Sequence, residues 1–175
     1  EGLDKIAATA DLSLTWHLIG HLQTNKARKA AEAFHWIHSI DSLALLQKIE
    51  AGAADAGTTP NVLLQVDLAG EATKFGVPPT VLRELAHAAA ALGSARLRGL
   101  MIIPPAVDDP NDARRWFAGL RDVRDGLIAD GVPAAALTEL SMGMSHDYEV
   151  AIEEGATLIR VGTAIFGRRP PPSTP

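Results

Sequence analysis

Two short stretches late in the chain, Leu140 to Asp147 (LSMGMSHD) and Arg160 to Gly167 (RVGTAIFG), combine small residues with hydroxyls in a way suited to holding an anion. Ser141, Gly143 and Ser145 offer hydroxyl groups and a backbone that a ligand can approach closely, and Gly162 with Thr163 repeats that chemistry. Each stretch follows an apolar run, so each falls where a strand gives way to a turn. Paired turns of this kind beside a helix N-terminus form the recurrent phosphate site of (β/α)8 barrels. Asp147 or one of the serines could instead cap the helix that follows. Arg160 lies inside the apolar run Thr157 to Ile165, where a solvated arginine is not normally placed. It is expected to point into the mouth of a barrel, with Asp67 as a candidate ion-pair partner. A third stretch, Trp16 to Lys26 (WHLIGHLQTNK), sets His17 in an apolar strand and Gly20 at the turn after it.

Other reactive residue types point to less. His17 and His21 are four apart and His35 and His38 three apart, but the first pair spans a strand end and a turn, so helical ligand geometry is missing and no metal site is expected. Trp16, Trp36 and Trp116 read as core residues. Lys74, in the Gly70 to Gly76 loop, reads as a solvated surface lysine. The chain has no cysteine, which excludes thiolate metal sites, disulfides and cysteine nucleophiles and suits a reducing cytoplasm.

The elements that must position these residues alternate regularly. Apolar runs at Leu14 to Ile19, Trp36 to Ile40, Asn61 to Leu68, Leu97 to Ile103, Leu137 to Met142 and Thr157 to Ile165 predict six strands. Helices are predicted over Thr24 to Phe34, Ser42 to Ala54, Pro79 to Leu92, Asn111 to Asp130 and Asp147 to Glu154. Ala51 to Pro60 and Asp108 to Asn111 read as loops, and Arg168 to Pro175 as a disordered tail. Strands alternating with helices predict an α/β fold with a parallel sheet covered by helices. Periodicity alone does not separate an open doubly wound sheet from a barrel, but no GxGxxG follows the first strand, which lowers the case for a dinucleotide-binding sheet.

Composition bounds the remaining possibilities. With 175 residues, 47% hydrophobic and 21% charged, the chain suits one globular domain, here placed at residues 1–167. A net charge of −5 with scattered basic residues gives no footprint for nucleic acid, and no apolar run reaches the length of a membrane span.

Taken together, WHLIGHLQTNK, LRGLMIIP, LSMGMSHDYEVAIEEGATLIR and RVGTAIFG resemble successive segments of the pyridoxal phosphate (PLP) homeostasis proteins, whose barrel is that of the alanine racemase N-terminal domain. The resemblance covers Glu1 to about Arg169 and implies a (β/α)8 TIM-type barrel. It further implies that Ser141, Gly143, Met144, Ser145, Gly162 and Thr163 surround the phosphate of PLP, that Arg160 faces the pyridine nitrogen, and that His17 lies near the ring. The family's cofactor-bearing lysine stands on the first barrel strand and a Gly-Glu-Asn segment on the second. Neither has a counterpart here, and Lys5, Lys26, Lys29, Lys48 and Lys74 match no position of that lysine. The first two βα units are therefore expected to be missing, and covalent attachment of PLP is not expected. The function implied is a non-catalytic carrier or buffer of PLP, with PLP-dependent apoenzymes as possible recipients. The alternatives are a PLP-dependent amino-acid racemase, which would need a second acid/base group such as a tyrosine, and a barrel fragment that binds nothing.

Overall fold

The computed structural model describes residues 2–70 and 75–167. It places β1 at His17–Leu18, β2 at Trp36–Ile40, β3 at Asn61–Gln65, β4 at Arg96–Met101, β5 at Glu139–Met144 and β6 at Leu158–Arg160. Helices lie at α1 Gly2–Ala8, α2 Ala27–Ala33, α3 Leu43–Ala56, α4 Pro79–Ala90, α5 Arg114–Ala129, α6 Tyr148–Glu153 and α7 Thr163–Phe166. The strands form one parallel sheet in the order β1-β2-β3-β4-β5-β6. A doubly wound sheet reverses its order at a switch point, whereas this one adds every strand on the same side, as a barrel does.

Strand alternation divides the side chains between two faces. Ile37, Val62, Leu64, Leu100, Ile102, Leu140 and Met142 belong to one apolar cluster with Leu45, Leu46 and Ile49 of α3, Leu82 and Leu85 of α4, Phe117 and Leu120 of α5, and Val150 of α6. Their strand neighbours His38, Leu63, Met101 and Ser141 are also buried but lie outside that cluster, on the opposite, concave face. Phe117 is fully buried between α5 and the sheet and is worth about 3–5 kcal/mol against alanine at such a site.

Local chemistry sets several boundaries. Ser42 caps α3 through its hydroxyl, which accepts from the Leu45 amide at 3.3 Å. The helix runs to Ala56, past the predicted start of a loop at Ala51, and stops at Gly57, whose φ of 66° only glycine adopts freely. From α3, the Glu50 carboxylate accepts the amides of Gly93, Ser94 and Ala95 at 2.9 Å each, and these bonds hold its pKa below the ordinary carboxylate range although desolvation opposes them. Gly99 permits the β4–β5 contact, because a Cβ there would stand 1.8 Å from the Glu139 carbonyl oxygen.

Three expectations need correction. The run Thr157 to Ile165 is not one strand: β6 ends at Arg160, and Gly162 opens the short helix α7. The third strand ends at Gln65 instead of Leu68, and Asp67 beyond it accepts the amides of Ala69 and Gly70, closing a turn. The tryptophans are half-buried: Trp116 packs against the helix-covered core as expected, whereas Trp36 lines the concave face. Lys74 and the tail 168–175 lie outside the described residues. Among the described residues no helix is long and apolar enough to cross a membrane.

Candidate functional site

The two hydroxyl-rich stretches meet at the C-terminal ends of β5 and β6. Asp147 does not cap α6 forward; its buried carboxylate turns back to accept the Met144 amide at 2.7 Å and so shapes the β5–α6 turn. Ser145 projects from that turn to the next strand end, where its Oγ accepts the amides of Gly162 at 3.1 Å and Ala164 at 3.2 Å. Thr163 begins α7 beside them, and Met144 is partly exposed. Gly143, at φ 89°, is required by packing: a Cβ would lie 2.6 Å from Ala151 Cβ and 3.0 Å from Tyr148 Cα. A Cβ on Gly162 would meet no atom within 4 Å, so open space adjoins these amides.

Beneath this rim a polar chain crosses the concave face. Arg160 on β6 donates from Nη1 to Ser141 Oγ at 2.7 Å and from Nη2 to the Ile102 carbonyl at 2.8 Å. Ser141 on β5 in turn meets His38 Nδ1 at 2.8 Å, and His38 Nε2 on β2 meets His17 Nδ1 on β1 at 3.0 Å. In a flat sheet β2 and β5, three positions apart, would be separated by about 14 Å, beyond the reach of a histidine and a serine. The contact therefore requires the sheet to curl, and it is the curl that brings these residues together. His17 also stacks on Trp36, with ring centroids 5.4 Å apart and planes at 2°.

Electrostatics follow from burial. Desolvation, reinforced by His17 and Arg160, lowers the His38 pKa to about 3, so its ring is neutral near pH 7. His17 is lowered too, by desolvation and then by His35. Arg160 is pushed down to about 10 by desolvation against the opposing pull of Asp147, and it keeps its proton at neutral pH.

Most of the residues singled out in the sequence for the cofactor gather at two adjacent strand ends, and His38, which was not among them, lies in the same row. Ser141, Gly143, Met144, Ser145, Arg160, Gly162 and Thr163 gather on β5, β6 and their turns, and His17 joins through His38. Asp67 is not the partner of Arg160, whose donors go to Ser141 and Ile102. The histidine pairs separate: His21 lies 3.3 Å from Asp41 and stacks on Phe75, while His35 Nδ1 accepts the Trp16 amide. His38 carried the signal that exposed Arg160, a polar side chain in the apolar strand WIHSI.

Known proteins share this sequence and fold. Residues 6–170 match the family described as alanine racemase, N-terminal domain. The chain is 46% identical over 169 residues to the pyridoxal phosphate homeostasis protein of Aquifex aeolicus, covering 97% of this chain and 73% of that one. With the protein of the same name from Escherichia coli K12 it shares 40% identity over 172 residues, covering 97% and 72%. The structure of PipY from Synechococcus elongatus PCC7942 with PLP bound superposes with a TM-score of 0.87 at 44% identity, over 95% of this chain and 77% of PipY. Alanine racemase of Clostridium difficile, at 17% identity and a TM-score of 0.75 over 97% of this chain and 43% of its own, shares the fold. On these sequence and structural grounds, the chain belongs to the family of the pyridoxal phosphate homeostasis proteins.

Proposed function

We propose that this chain binds pyridoxal 5'-phosphate as a non-catalytic carrier or buffer in the cytoplasm, for delivery to PLP-dependent apoenzymes. The observation that carries this reading is the Ser145 hydroxyl holding the Gly162 and Ala164 amides beside open space, two residues along the chain from the half-buried Arg160. The Ser145 and Thr163 hydroxyls, with the turns at Gly143, Met144 and Gly162 around them, suit a phosphate, and the fixed cation suits a ring nitrogen. Ser141, whose hydroxyl is buried between Arg160 and His38, serves that cation rather than the phosphate. His17 would flank the ring. PipY, solved with PLP bound, supports the assignment. We also read the curled sheet as an arc of a (β/α)8 barrel, which its consecutive strand order favours.

When bound, PLP supplies an aldehyde on an electron-withdrawing pyridine ring. Arg160 retains its own proton, so it would donate to the ring nitrogen and hold that nitrogen unprotonated, which would make the ring a weaker electron sink. That suits a carrier or a racemase better than a transaminase. Between those two, Tyr148, the chain's one tyrosine, favours the carrier, since its hydroxyl is engaged with Glu149 at 3.4 Å on α6. Fluorescence titration of the 175-residue chain with PLP tests the reading. Saturable binding that weakens in Ser145→Leu is expected, and a chain that does not bind would overturn it.

A further inference from the structure

We propose that His38 is a positioning residue for the cofactor ring: from β2 it holds the Ser141 hydroxyl across the concave face, and Ser141 holds the Arg160 guanidinium in the plane that meets the ring nitrogen. This rests on the reading that PLP binds at Arg160. His38 is 2% exposed and Ser141 0%, so water does not compete for their bonds.

The order of protons along the chain follows from donor and acceptor capacity. Arginine only donates, so Ser141 Oγ accepts from Arg160 Nη1. The one serine hydrogen then has His38 Nδ1, 2.8 Å away, as its acceptor. A neutral His38 with Nδ1 bare carries its proton on Nε2, which donates to His17 Nδ1 at 3.0 Å. In this arrangement every bond of the row has one donor and one acceptor, and the single positive charge stays on Arg160. The reverse order would place the serine hydrogen among buried groups without an acceptor in the row. Burial holds His38 in the neutral form that the order requires.

The geometry also explains why the anchor stands on a distant strand. Arg160 is tied from two directions, by Ser141 on its neighbour β5 and by the Ile102 carbonyl after β4. The first tie is only as firm as the serine rotor, which has three staggered positions. His38 selects one of them. Without it the hydroxyl turns, Arg160 loses a fixed acceptor, and the guanidinium can swing toward Asp147, the acid that already pulls on its charge.

The test uses the 175-residue chain with pyridoxine 5'-phosphate labelled with 15N in the ring, a probe with no aldehyde to react with lysines. His38→Leu removes the acceptor, and His38→Asn restores one near the Nδ1 position. We expect His38→Leu to weaken probe binding about tenfold, a loss of the size expected for a hydrogen bond to a charged group. The bound ring-nitrogen signal should move toward its value in free probe, while affinity for inorganic phosphate stays at the parent level. His38→Asn should recover most of both changes. If His38→Leu does not fold, Ser141→Ala breaks the same link and is judged by the same ring signal. An unchanged ring signal and affinity, or equal losses for the probe and for phosphate, would overturn the positioning role alone. A parent chain that binds neither the probe nor PLP would overturn the functional reading and this inference with it.

Discussion

The two faces of the sheet are built on different principles. The helix-covered face is continuous hydrocarbon, in which Ile37, Val62, Leu64, Leu100 and Leu140 share one cluster with residues of five helices, and side chains of similar volume can replace one another there at modest cost. The concave face carries a row of polar groups, His17, His38, Ser141 and Arg160, each depending on its neighbours for a partner. Hydrocarbon tolerates exchange because dispersion and the hydrophobic effect are non-directional. A hydrogen-bonded row does not, because removing one member leaves another buried and unsatisfied. Stability should therefore be distributed over the first face, and ligand selectivity concentrated on the second.

The sharpest way to break the contrast is at the seam between strands. Gly99→Ala should be the most damaging single change, costing on the order of 4 kcal/mol or preventing folding, since its Cβ would stand 1.8 Å from the Glu139 carbonyl oxygen. Chemical denaturation measures it, and a loss below about 1 kcal/mol would mean that β4 and β5 can shift apart. On the hydrocarbon face, Phe117→Ala should cost about 3–5 kcal/mol with PLP affinity per folded molecule retained. Loss of affinity without loss of stability would erase the division between the faces.

Acid tests the polar row. The unfolded chain protonates His38 near 6.5, whereas the native chain does so only near 3. Between these values the unfolded state binds the extra proton, so stability is complete above pH 6.5 and falls as pH drops toward 3, by at most about 1.4 kcal/mol per unit. His17 adds in the same direction. In His38→Asn the slope of unfolding free energy over that window should flatten, and an identical slope would locate the acid sensitivity elsewhere. The smallest effect on stability is expected at the rim: Thr163→Leu should move the melting temperature by no more than about 2–4 °C while weakening PLP binding about tenfold. Equal affinity in fluorescence titration would remove Thr163 from the site.

How much of this was legible in the sequence differs between the faces in the same way. Six strands and their helices were readable because leucine, isoleucine and valine runs alternate with amphipathic stretches, a signal local to each element. Thr157 to Ile165 reads as one strand because its apolar residues continue across Gly162, where the chain turns into α7. Ser141 and Arg160 were visible as a hydroxyl and a charge set in apolar strands. Their link to His38 was not, because Ser141 and His38 are 103 residues apart and only the curl of the sheet makes them neighbours. Local patterns report which face a residue occupies, and they are silent on what lies across a concavity.

The grip of Glu50 on the amides of Gly93, Ser94 and Ala95 has a kinetic consequence. These three amides lead into β4 but find their acceptor on α3, more than 40 residues earlier in the chain. They can be shielded only after that helix has docked, so the segment entering β4 must order late, on a template already in place. In a native-state hydrogen-exchange experiment these three protons should exchange together, at a rate set by the lifting of α3 from the sheet rather than by fraying of the loop that carries them.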